Sequence, residues 1–367
     1  MFDVVVVGSG LAGATSARIL AEAGYKVIVI ERRNHIGGNV YDYKEKGISI
    51  HKYGPHIFHT NYKEVWDFLN RFTGFRLYQH RVLSYVEGTL VSFPININTL
   101  RKVFGKDFSI NEAKEFLKSE VKKSKYNIPY KNFRDVVVSQ VGERLYELFF
   151  KGYTIKQWGR DPEELSPEIA KRIPVRFNFD DRYFSDKYQG IPKDGYTKMI
   201  QNILNHPNIS LMLNVDYFEV KDLFKPKLVV YTGELDRFFE FSYGKLEYRS
   251  LEFKLDWVKS PKYQPVATVN YPNDYDFTRI TEFKHFLDED FDETVICYEY
   301  PKNKGTPYYV VLTEDNVSRR ELYMKEVEKL EKTGEYLFVG RLAEYKYYNM
   351  DAVVLSAMSK VKRWLSD

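Results

Sequence analysis

A glycine-rich turn lies near the start of the chain, in the stretch Val4-Val5-Val6-Val7-Gly8-Ser9-Gly10-Leu11-Ala12-Gly13. The apolar run over residues 2–7 is rich in β-branched side chains, which is typical of a strand inside a parallel sheet. An alanine-rich segment from Leu11 predicts a helix that ends at Gly24. Residues 26–31 predict a second buried strand. Together these elements predict a right-handed βαβ unit.

The turn after the first strand matches the phosphate-binding pattern G-x-G-x-x-G at Gly8, Gly10 and Gly13. Gly8 permits the tight turn, Gly10 allows a pyrophosphate to approach the backbone, and Gly13 allows the helix to pack closely on the sheet. The N-terminus of the helix presents free N–H groups to phosphate. Glu31 closes the second strand, where a carboxylate can accept hydrogen bonds from ribose hydroxyls. The pattern predicts a dinucleotide site, against the alternative of a turn that binds no ligand.

The identity of the dinucleotide is indicated by a second glycine pair, Gly37-Gly38, a few residues after Glu31. This spacing resembles the extended FAD signature of glutathione-reductase-like flavoproteins. The sequence has no second G-x-G-x-x-G that could form a separate NAD(P)H fold. FAD is therefore favoured over NAD, with an electron donor that comes from outside the chain.

Composition excludes several classes of protein. The single cysteine, Cys297, cannot form an internal disulfide or a dithiol redox centre. The net charge of +4 on 367 residues is too balanced to indicate nucleic-acid binding. No apolar run approaches the roughly 18 residues of a membrane span, and no signal peptide precedes the first strand. We therefore expect a cytoplasmic protein without membrane insertion, whose unusual feature is its 30 tyrosines.

The rest of the chain predicts an α/β fold. Amphipathic helices are predicted over 111–126 and 134–150, antiparallel strands over 240–313, and a helix that starts at a capping box at Ser318. We expect a discontinuous Rossmann-like FAD-binding domain with an inserted helical domain and an antiparallel β-sheet substrate domain. The predicted boundaries are 1–80, 190–235 and 315–367 for the FAD-binding domain, 98–170 for the helical domain with a mobile loop near 160–178, and 81–97, 171–189 and 236–314 for the sheet domain.

Three histidines, His51, His56 and His59, cluster around the tight turn Gly54-Pro55. Metal binding is one interpretation, but no acidic or cysteine partner is spaced to complete a ligand set, so no metal is expected. The loop could instead bring His56 close to the flavin, or the histidines could only bridge loop backbone.

Other candidate residues have two interpretations each. Residues 151–159 are predicted to end a helix and to form a loop, on which Trp158 could stack on a base or pack into the core. Arg172 lies near several prolines, where its guanidinium could clamp a phosphate or remain solvated. Arg249 and Arg279 lie in predicted apolar strands, where an arginine needs a partner, so they are stronger candidates. The turn over residues 340–350 suits the pyrimidine edge of a flavin or an ordinary strand-to-helix connection.

Several longer motifs resemble UDP-galactopyranose mutases, and the resemblance covers essentially the whole chain. Besides the glycine-rich turn, which is generic, they are ERRNHIGGN at 31–39, HKYGPHIFHTN at 51–61, KGYTIKQWG at 151–159, KRIPVR at 171–176 and GRLAEYKYY at 340–348. The resemblance implies an FAD enzyme that interconverts UDP-galactopyranose and UDP-galactofuranose without net redox change. It also implies that N5 of the reduced flavin attacks the anomeric carbon, displaces UDP and forms a covalent adduct in which the sugar ring opens and recloses.

The resemblance further implies roles for individual residues. Arg172 and Arg279 would neutralise the pyrophosphate, and His56 is the third residue placed in the catalytic group. The residues expected to bind substrate are Thr154, Trp158, Tyr183, Arg249, Asn270, Tyr309 and Tyr347. The residues expected to bind FAD are Gly8, Gly10, Ala12, Gly13, Glu31, Arg32, Asn39, His56, Ile57, Arg341, Met350, Asp351, Ala352 and Val353.

Two positions depart from the pattern of this family. Asn349 stands where the family often has an aspartate after the Tyr-Tyr pair, and Asp351 follows two residues later. The loop around His80 and Arg81 differs from relatives that have a small polar residue there, and His59 could contact the sugar. The choice between UDP-galactose and UDP-N-acetylgalactosamine therefore stays open at this point.

Two other functions are compatible with parts of the sequence. A flavin-dependent oxidase or dehydrogenase would share the FAD domain, but it would not need a pyrophosphate clamp. A non-enzymatic nucleotide-binding module would not need so many polar and aromatic loop residues. We expect the mutase. By resemblance, it works with reduced FAD and an external flavin reductant, as a homodimer, in bacterial surface-polysaccharide synthesis.

Overall fold

The computed structural model describes residues 2–172 and 174–366, except for the side chains of Lys171 and Arg172. The helices are α1 (Leu11–Glu22), α2 (Lys63–Asn70), α3 (Ile97–Phe104), α4 (Ile110–Lys123), α5 (Phe133–Tyr146), α6 (Gly152–Trp158), α7 (Tyr196–Leu204), α8 (Tyr217–Val220), α9 (Leu235–Phe238), α10 (Lys284–Leu287), α11 (Glu314–Glu331) and α12 (Met350–Ser366). The strands are β1 (Val4–Val7), β2 (Val27–Glu31), β3 (Asp42–Glu45), β4 (Ile48–His51), β5 (Phe58–Thr60), β6 (Phe75–Leu77), β7 (Val82–Val86), β8 (Thr89–Phe93), β9 (Tyr188–Pro192), β10 (Ile209–Leu213), β11 (Leu228–Tyr231), β12 (Tyr248–Val258), β13 (Thr268–Asn270), β14 (Arg279–Glu282), β15 (Thr294–Lys302), β16 (Tyr309–Val310) and β17 (Tyr336–Phe338). Among the described residues, no helix has the length and apolar character needed to cross a membrane.

A parallel sheet with the order β10-β2-β1-β11-β17 forms the first part of the fold. Val4 and Val6 pack in one core cluster with α1, α7 and α12, whereas Val5 belongs to a second cluster that includes residues of α11. The two faces of β1 are therefore both covered, which explains why this strand is apolar throughout. The five strands come from three separate parts of the chain, so the predicted Rossmann-like, discontinuous architecture is confirmed. The numerical domain boundaries stay a prediction.

A mainly antiparallel sheet with the order β16-β12-β15-β14-β13-β7-β8 forms the second part. Its longest pairing joins Ser250–Val258 of β12 to Thr294–Lys302 of β15. β13 pairs in parallel with β7 and antiparallel with β14. The register places Asn270 of β13 opposite Arg279 of β14, and Arg279 opposite Glu299 of β15. Three polar side chains are thereby brought to the same part of the sheet.

The helical part differs from the sequence prediction in one important place. The predicted helix over 134–150 is broken at Gly142, which has φ +78°, and a π-helical turn follows over Glu147–Lys151. The segment after it was expected to be a loop, but it forms α6, which ends where Gly159 takes the left-handed conformation. Gly152 is the first residue of α6 and does not mark a helix end. Glycine is needed there because α6 comes close to Pro272: an added Cβ would be 2.6 Å from the carbonyl oxygen of that proline.

The predicted capping box at Ser318 is wrong. Helix α11 begins at Glu314, and the side chain of Thr313 accepts a hydrogen bond of 3.3 Å from the backbone N–H of Asn316. Ser318 therefore lies inside the helix. Because the cap residue is Thr313, five residues earlier than expected, the pattern Ser-x-x-Glu at Ser318 has no capping function.

Candidate active site

The two glycine motifs meet at the carboxyl edge of the parallel sheet. Gly8 has φ +96°, and a Cβ on Gly13 would lie only 1.9 Å from the carbonyl oxygen of Gly8. Only glycine can therefore occupy position 13 without displacing the turn. A Cβ on Gly38 would lie 3.0 Å from Cα of Gly10, and the N–H of Gly37 donates to the carbonyl of Ser9 at 3.1 Å. The second motif thus packs directly against the first and leaves backbone open to a ligand.

A cleft runs past the ends of β1, β2, β10, β11 and β17. Such a position at the carboxyl ends of parallel strands is where this type of sheet binds ligands. The cleft is lined by ten of the residues predicted to bind FAD, which are Gly8, Gly10, Ala12, Glu31, Arg32, Asn39, His56, Arg341, Met350 and Val353. An extended dinucleotide fits this lining, because the cleft continues from the glycine-rich turn to the turn at Gly340.

Four predicted FAD residues do not line the cleft. Gly13 packs beneath the turn, and Ile57 is buried in the core cluster of β4 and β15. Asp351 is 9% exposed and accepts a hydrogen bond of 2.8 Å from the N–H of Ala352. For these four, contact with a cofactor stays a prediction. The signature glycines Gly37 and Gly38 also line the cleft, and lining residues absent from the sequence prediction include Arg33, Thr232, Tyr308 and Leu342.

Glu31 is held in place by the turn that it faces. One carboxylate oxygen accepts hydrogen bonds from the N–H of Ser9 at 2.9 Å and from its hydroxyl at 2.7 Å. The other accepts from the N–H of Arg33 at 2.9 Å. The side chain is 5% exposed and lines the cleft. Glu31 therefore joins the glycine-rich turn to the end of β2, and its predicted bond to a ribose would add to these contacts.

Arg33 and Arg341 are two of the four arginines that line the cleft. Arg33 donates to Oδ1 of Asn39 at 3.0 Å, and its buried Nη1 has no hydrogen-bond partner among the described residues. Arg341 donates to the carbonyls of Tyr348 at 2.7 Å and Tyr308 at 3.3 Å. Both guanidinium groups are fixed by protein contacts while keeping donors near the cleft, which suits an anionic cofactor.

The three clustered histidines form two separate sets of contacts. The ring Nδ1–H of His56 donates to the carbonyl of Gly54 at 2.9 Å, its Nε2 lies 3.4 Å from the hydroxyl of Tyr308, and its backbone N–H donates to Nδ1 of His51 at 3.1 Å. His59 instead contacts Asp186 at 2.8 Å. No group of three or more potential metal ligands comes together within the described residues. His56 alone of the three lines the cleft.

The two buried histidines predict a loss of stability in acid. Burial lowers the pKa of His51 and of His56 to about 3. Since the unfolded chain binds these protons near pH 6.5, the free energy of unfolding should fall as the pH drops from about 6.5 toward 3. At pH 5 the expected loss is about 2 kcal/mol for each histidine. Urea unfolding at pH 7.5 and pH 5 measures it, and His51→Gln should show a smaller loss than the wild type; an equal loss would contradict the assignment.

An aromatic group lies where α6 meets β16 and the turn before α12. Trp158 is 6% exposed, and its ring centroid is 5.9 Å from that of Tyr309 and 5.6 Å from that of Tyr347. The rings of Tyr309 and Tyr347 are 5.5 Å apart, and the guanidinium of Arg341 lies 5.2 Å from the ring of Tyr309. Three residues predicted to bind substrate are thus brought together beside a residue of the cofactor cleft.

A second polar group surrounds Arg279. Its guanidinium donates to the hydroxyl of Tyr153, and its Nε is 4.0 Å from a carboxylate oxygen of Glu299. Burial lowers the pKa of Arg279, but the nearby Tyr153, Glu299, Tyr309 and Tyr183 raise it well above its ordinary value. Arg279 is therefore a permanent cation that lies close to Tyr309, one of the tyrosines of the aromatic group.

Three buried polar atoms in this region have no hydrogen-bond partner among the described residues. They are Nε of Arg279, Oε1 of Glu299 and Oδ1 of Asn270. A buried polar atom without a partner costs about 1–3 kcal/mol, so a concentration of such atoms indicates a place for a polar ligand. Glu299 and Tyr153 are missing from the sequence prediction, because only the register of β14 and β15 and the packing of α6 reveal them.

Tyr183 and His80 complete this side of the site. The N–H of Tyr183 donates to the carbonyl of His80 at 2.7 Å, and their rings are 5.8 Å apart. Burial lowers the pKa of His80 to about 3, with smaller contributions from Arg279 and His59. The divergent loop position noted in the sequence is therefore occupied by a neutral, buried imidazole close to the predicted substrate residues.

Arg249 is fully engaged by the protein. Its guanidinium donates to the carbonyls of Gln157 at 2.9 Å and Lys156 at 3.0 Å, and also to the side chain of Asn303. It therefore binds the C-terminal carbonyls of α6, next to Trp158. Thr154, 3% exposed, lies on the same helix. Direct contact of Arg249 with substrate stays a prediction, and the structure adds a role in holding α6.

Replacement of Arg249 by methionine should destabilise the protein by roughly 2–4 kcal/mol, because it leaves buried carbonyls of α6 without donors. Urea unfolding measures this change. Arg160→Met is a matched control, since Arg160 pairs at the surface with Glu247 at 2.7 Å, where loss should cost less than about 1 kcal/mol. Equal effects of the two substitutions would contradict the proposed anchoring.

Arg172 lies in the segment predicted to be a mobile loop, near 160–178. The backbone of Arg172 ends a 3-10 helix over Pro167–Arg172, and its side chain lies outside the described residues. Arg176 is described and donates to the carbonyl of Tyr183 at 3.1 Å. The end of this segment is therefore tied to Tyr183, while a pyrophosphate contact by Arg172 stays a prediction.

Comparisons with known proteins show the family of the chain. Residues 148–347 match the family model described as UDP-galactopyranose mutase, and residues 6–72 match an NAD(P)-binding Rossmann-like domain. A probable UDP-galactopyranose mutase of Klebsiella pneumoniae is 41% identical over 99% of this chain and 95% of its own length. A dTDP-fucopyranose mutase of Escherichia coli is 38% identical over 100% of this chain and 99% of its own length.

The solved structure of a reduced UDP-galactopyranose mutase has a TM-score of 0.77 at 17% identity, over 100% of this chain and 94% of that one. At this identity the likeness shows a shared fold. The family model covers more than half of the chain and the relatives cover nearly all of it. On this basis the chain belongs to the UDP-galactopyranose mutase family, as the motifs predicted.

Proposed function

We propose that the protein binds FAD and, with the flavin reduced, interconverts UDP-galactopyranose and UDP-galactofuranose. The observation that carries this proposal is the partly buried cation Arg279, whose side chain is 25% exposed and lies among tyrosines beside a cleft that fits a dinucleotide. A permanent cation in a partly desolvated site favours an anionic ligand, and a pyrophosphate leaving group meets that condition. An oxidase of this fold would not require it.

The cleft residues support a defined orientation of FAD. The pyrophosphate would lie over Gly10 and Gly38, where the N-terminus of α1 presents N–H groups. The adenosine ribose would face Glu31, and the ring system would lie toward His56 and Arg341. When bound and reduced, the flavin would supply N5 as the nucleophile for the anomeric carbon of the sugar.

The remaining residues would bind and hold the sugar nucleotide. Trp158 offers an aromatic face to the base, while Tyr309 and Tyr347 offer hydroxyl groups to the phosphates. Arg279, with Arg172 from the neighbouring loop, would neutralise the pyrophosphate as it leaves and returns. Because Arg279 is already held by Tyr153, its charge is oriented before the substrate arrives.

A second candidate substrate comes from the comparisons. The relative named dTDP-fucopyranose mutase is nearly as similar over the full length as the relative named UDP-galactopyranose mutase. A sugar nucleotide with another base or sugar is therefore a specific alternative, and the neutral, buried His80 near Arg279 is a position where such a preference could arise.

A substrate panel decides between these candidates. The holoprotein, reduced with dithionite, is incubated separately with UDP-galactose, UDP-N-acetylgalactosamine and dTDP-fucose, and the products are separated by chromatography. We expect the highest kcat/KM with UDP-galactose. A higher value with either other compound would reassign the substrate, and stoichiometric flavin reduction by any of them would favour an oxidase.

The assembly and cellular setting are proposed on the family resemblance alone. We propose a cytoplasmic homodimer that depends on an external flavin reductant and supplies a surface-polysaccharide pathway. Light scattering of the purified holoprotein measures the oligomeric state, and a monomer at micromolar concentration would contradict this part of the proposal.

A further inference from the structure

Lys156 makes an unusual set of contacts between α6 and the loop that joins β13 to β14. Its ammonium donates to the backbone carbonyls of Phe277 at 3.0 Å, Asp274 at 3.2 Å and Tyr275 at 3.3 Å, and also to that of Tyr271. Within the described part of the chain, Lys156 forms no ion pair with a carboxylate. The ammonium of Lys156 therefore forms hydrogen bonds with backbone carbonyls along the whole loop 271–277.

The chemistry of the group explains why a lysine occupies this position. The contacts of Lys156 with the carbonyls of Tyr271 and Phe277 are partly buried, whereas those with Asp274 and Tyr275 are exposed. A tight loop leaves carbonyl oxygens that cannot all find backbone donors, and those withdrawn from water need another donor. An ammonium has three N–H donors on a compact centre, so it can serve several carbonyls at once. Burial lowers the pKa of Lys156 to about 8, with Asp274 and Asp276 opposing that shift, so the group is mainly charged at pH 7.

The elements joined by Lys156 carry the two halves of the candidate substrate site. Helix α6 holds Thr154 and Trp158, which are predicted to bind the nucleotide. The loop 271–277 starts directly after Asn270 and ends just before Arg279, the predicted pyrophosphate ligand. The position of this loop relative to α6 therefore affects how far Arg279 lies from Trp158.

Further contacts show that this junction is close and specific. A Cβ on Gly152 would lie 2.6 Å from the carbonyl oxygen of Pro272, and the side chain of Asn273 donates to the carbonyl of Leu148 at 2.9 Å. These contacts lie near the start of α6, whereas Lys156 holds the loop one helical turn later. Of these contacts between α6 and the loop 271–277, that of Lys156 is the one nearest in sequence to Trp158.

We propose that Lys156 is a positioning residue that fixes the pyrophosphate-binding side of the substrate site relative to the nucleoside-binding side. This inference depends on the proposed function, because it assumes that a nucleoside diphosphate spans α6 and Arg279. Its consequence is that Lys156 increases the affinity gained from the second phosphate, without contacting the ligand itself.

Calorimetric titration of the FAD-loaded protein with uridine, UMP and UDP tests the proposal. In Lys156→Met, the ratio of UDP affinity to UMP affinity should fall at least tenfold, while uridine affinity should change less than threefold. Lys151→Met is the matched control, since that lysine lies on the preceding turn and pairs with Glu147 at 2.8 Å; it should leave all three affinities unchanged. Lys156→Arg, which keeps the charge and donors, should recover part of the ratio.

Two results would overturn the proposal. An equal loss of affinity for uridine, UMP and UDP would mean that Lys156 only supports the fold. Unchanged affinities, with an unchanged ratio of UDP affinity to UMP affinity, would mean that it does not position Arg279.

Hydrogen exchange without ligand gives a second measurement: the amides of residues 271–277 should exchange at least tenfold faster in Lys156→Met, and unchanged exchange would contradict the anchoring itself. If the wild type binds none of the three ligands but the exchange result holds, the proposed function fails, not the anchoring.

Discussion

Replacement of Arg279 by alanine is expected to lower kcat/KM for the sugar-nucleotide interconversion by at least about 10³-fold while FAD stays bound. The guanidinium of Arg279 lies among the tyrosines of the candidate site, where it contacts the hydroxyl of Tyr153 and the carboxylate of Glu299. Removal of the charge leaves the leaving pyrophosphate without a desolvated counter-ion, and it also leaves the buried Glu299 carboxylate without its nearest cation.

Steady-state assays with dithionite-reduced enzyme measure this effect, and flavin absorbance measures retained cofactor. Arg279→Lys should recover only part of the activity, because an ammonium lacks the planar donor set of the guanidinium. Arg182→Ala is the control, since Arg182 pairs with Asp180 at 2.7 Å and is 41% exposed at its side chain. Loss of FAD or of folding in Arg279→Ala would instead assign the arginine a structural role.

Alanine substitutions at Gly10 and Gly13 should separate cofactor binding from folding. A Cβ at Gly10 would find its nearest neighbour, Cα of Gly38, at 3.8 Å, and Gly10 has φ −71°, which alanine adopts easily. Gly10→Ala should therefore fold normally, but its methyl group occupies the side of the turn that the pyrophosphate approaches. We expect FAD affinity to fall at least tenfold with little change in the melting temperature of the apoprotein.

Gly13→Ala should have the larger effect on the fold. Its Cβ would lie 1.9 Å from a backbone oxygen, so either α1 or the turn after β1 must move. We expect a loss of about 3 kcal/mol or more in the free energy of unfolding, together with loss of FAD. Thermal unfolding of the two apoproteins and fluorescence titration with FAD measure both effects. A destabilised Gly10→Ala, or a Gly13→Ala as stable as the wild type, would contradict the geometry of the turn.

The parts of the fold that the sequence predicted correctly depend on short-range patterns. The run of valines in β1, the glycines after it and the helix α1 follow one another within about 20 residues, so periodicity and turn chemistry suffice. The helix α6 was missed because the glycines at its two ends suggested a loop. Contacts with distant segments require these glycines: a Cβ at Gly152 would meet Pro272, and a Cβ at Gly159 would meet Arg249. Similarly, Thr313 caps α11, whereas a better-looking pattern at Ser318 lies within the helix.

The candidate site could be predicted from the residues only in part. The glycine motifs and Glu31 are local signals with a known geometry. Roles for Arg279, Trp158, Tyr309 and Tyr347 came from the resemblance to the family, and their roles stay predictions, although the structure brings them together. Glu299, Tyr153 and Tyr308 were missed because their positions depend on strand register and on packing between distant segments.

The high tyrosine content has two structural contexts. Tyr309 and Tyr347 belong to the aromatic group of the site. Others pack with aromatic neighbours at the antiparallel sheet, where the ring of Phe277 lies 5.0 Å from that of Tyr271 and 5.1 Å from that of Tyr298. Aromatic side chains suit a pleated sheet surface, so this second group has a packing explanation.

The dependence of the reaction on the redox state of FAD tests the central claim most directly. The purified holoprotein is incubated anaerobically with UDP-galactose, once with oxidised and once with dithionite-reduced flavin, and the sugar nucleotides are separated by chromatography. We predict UDP-galactofuranose with the reduced enzyme only, with the flavin still reduced at the end of the reaction. Equal conversion in both states, or oxidation of the flavin in proportion to product, would contradict a mutase that uses reduced FAD without net redox change.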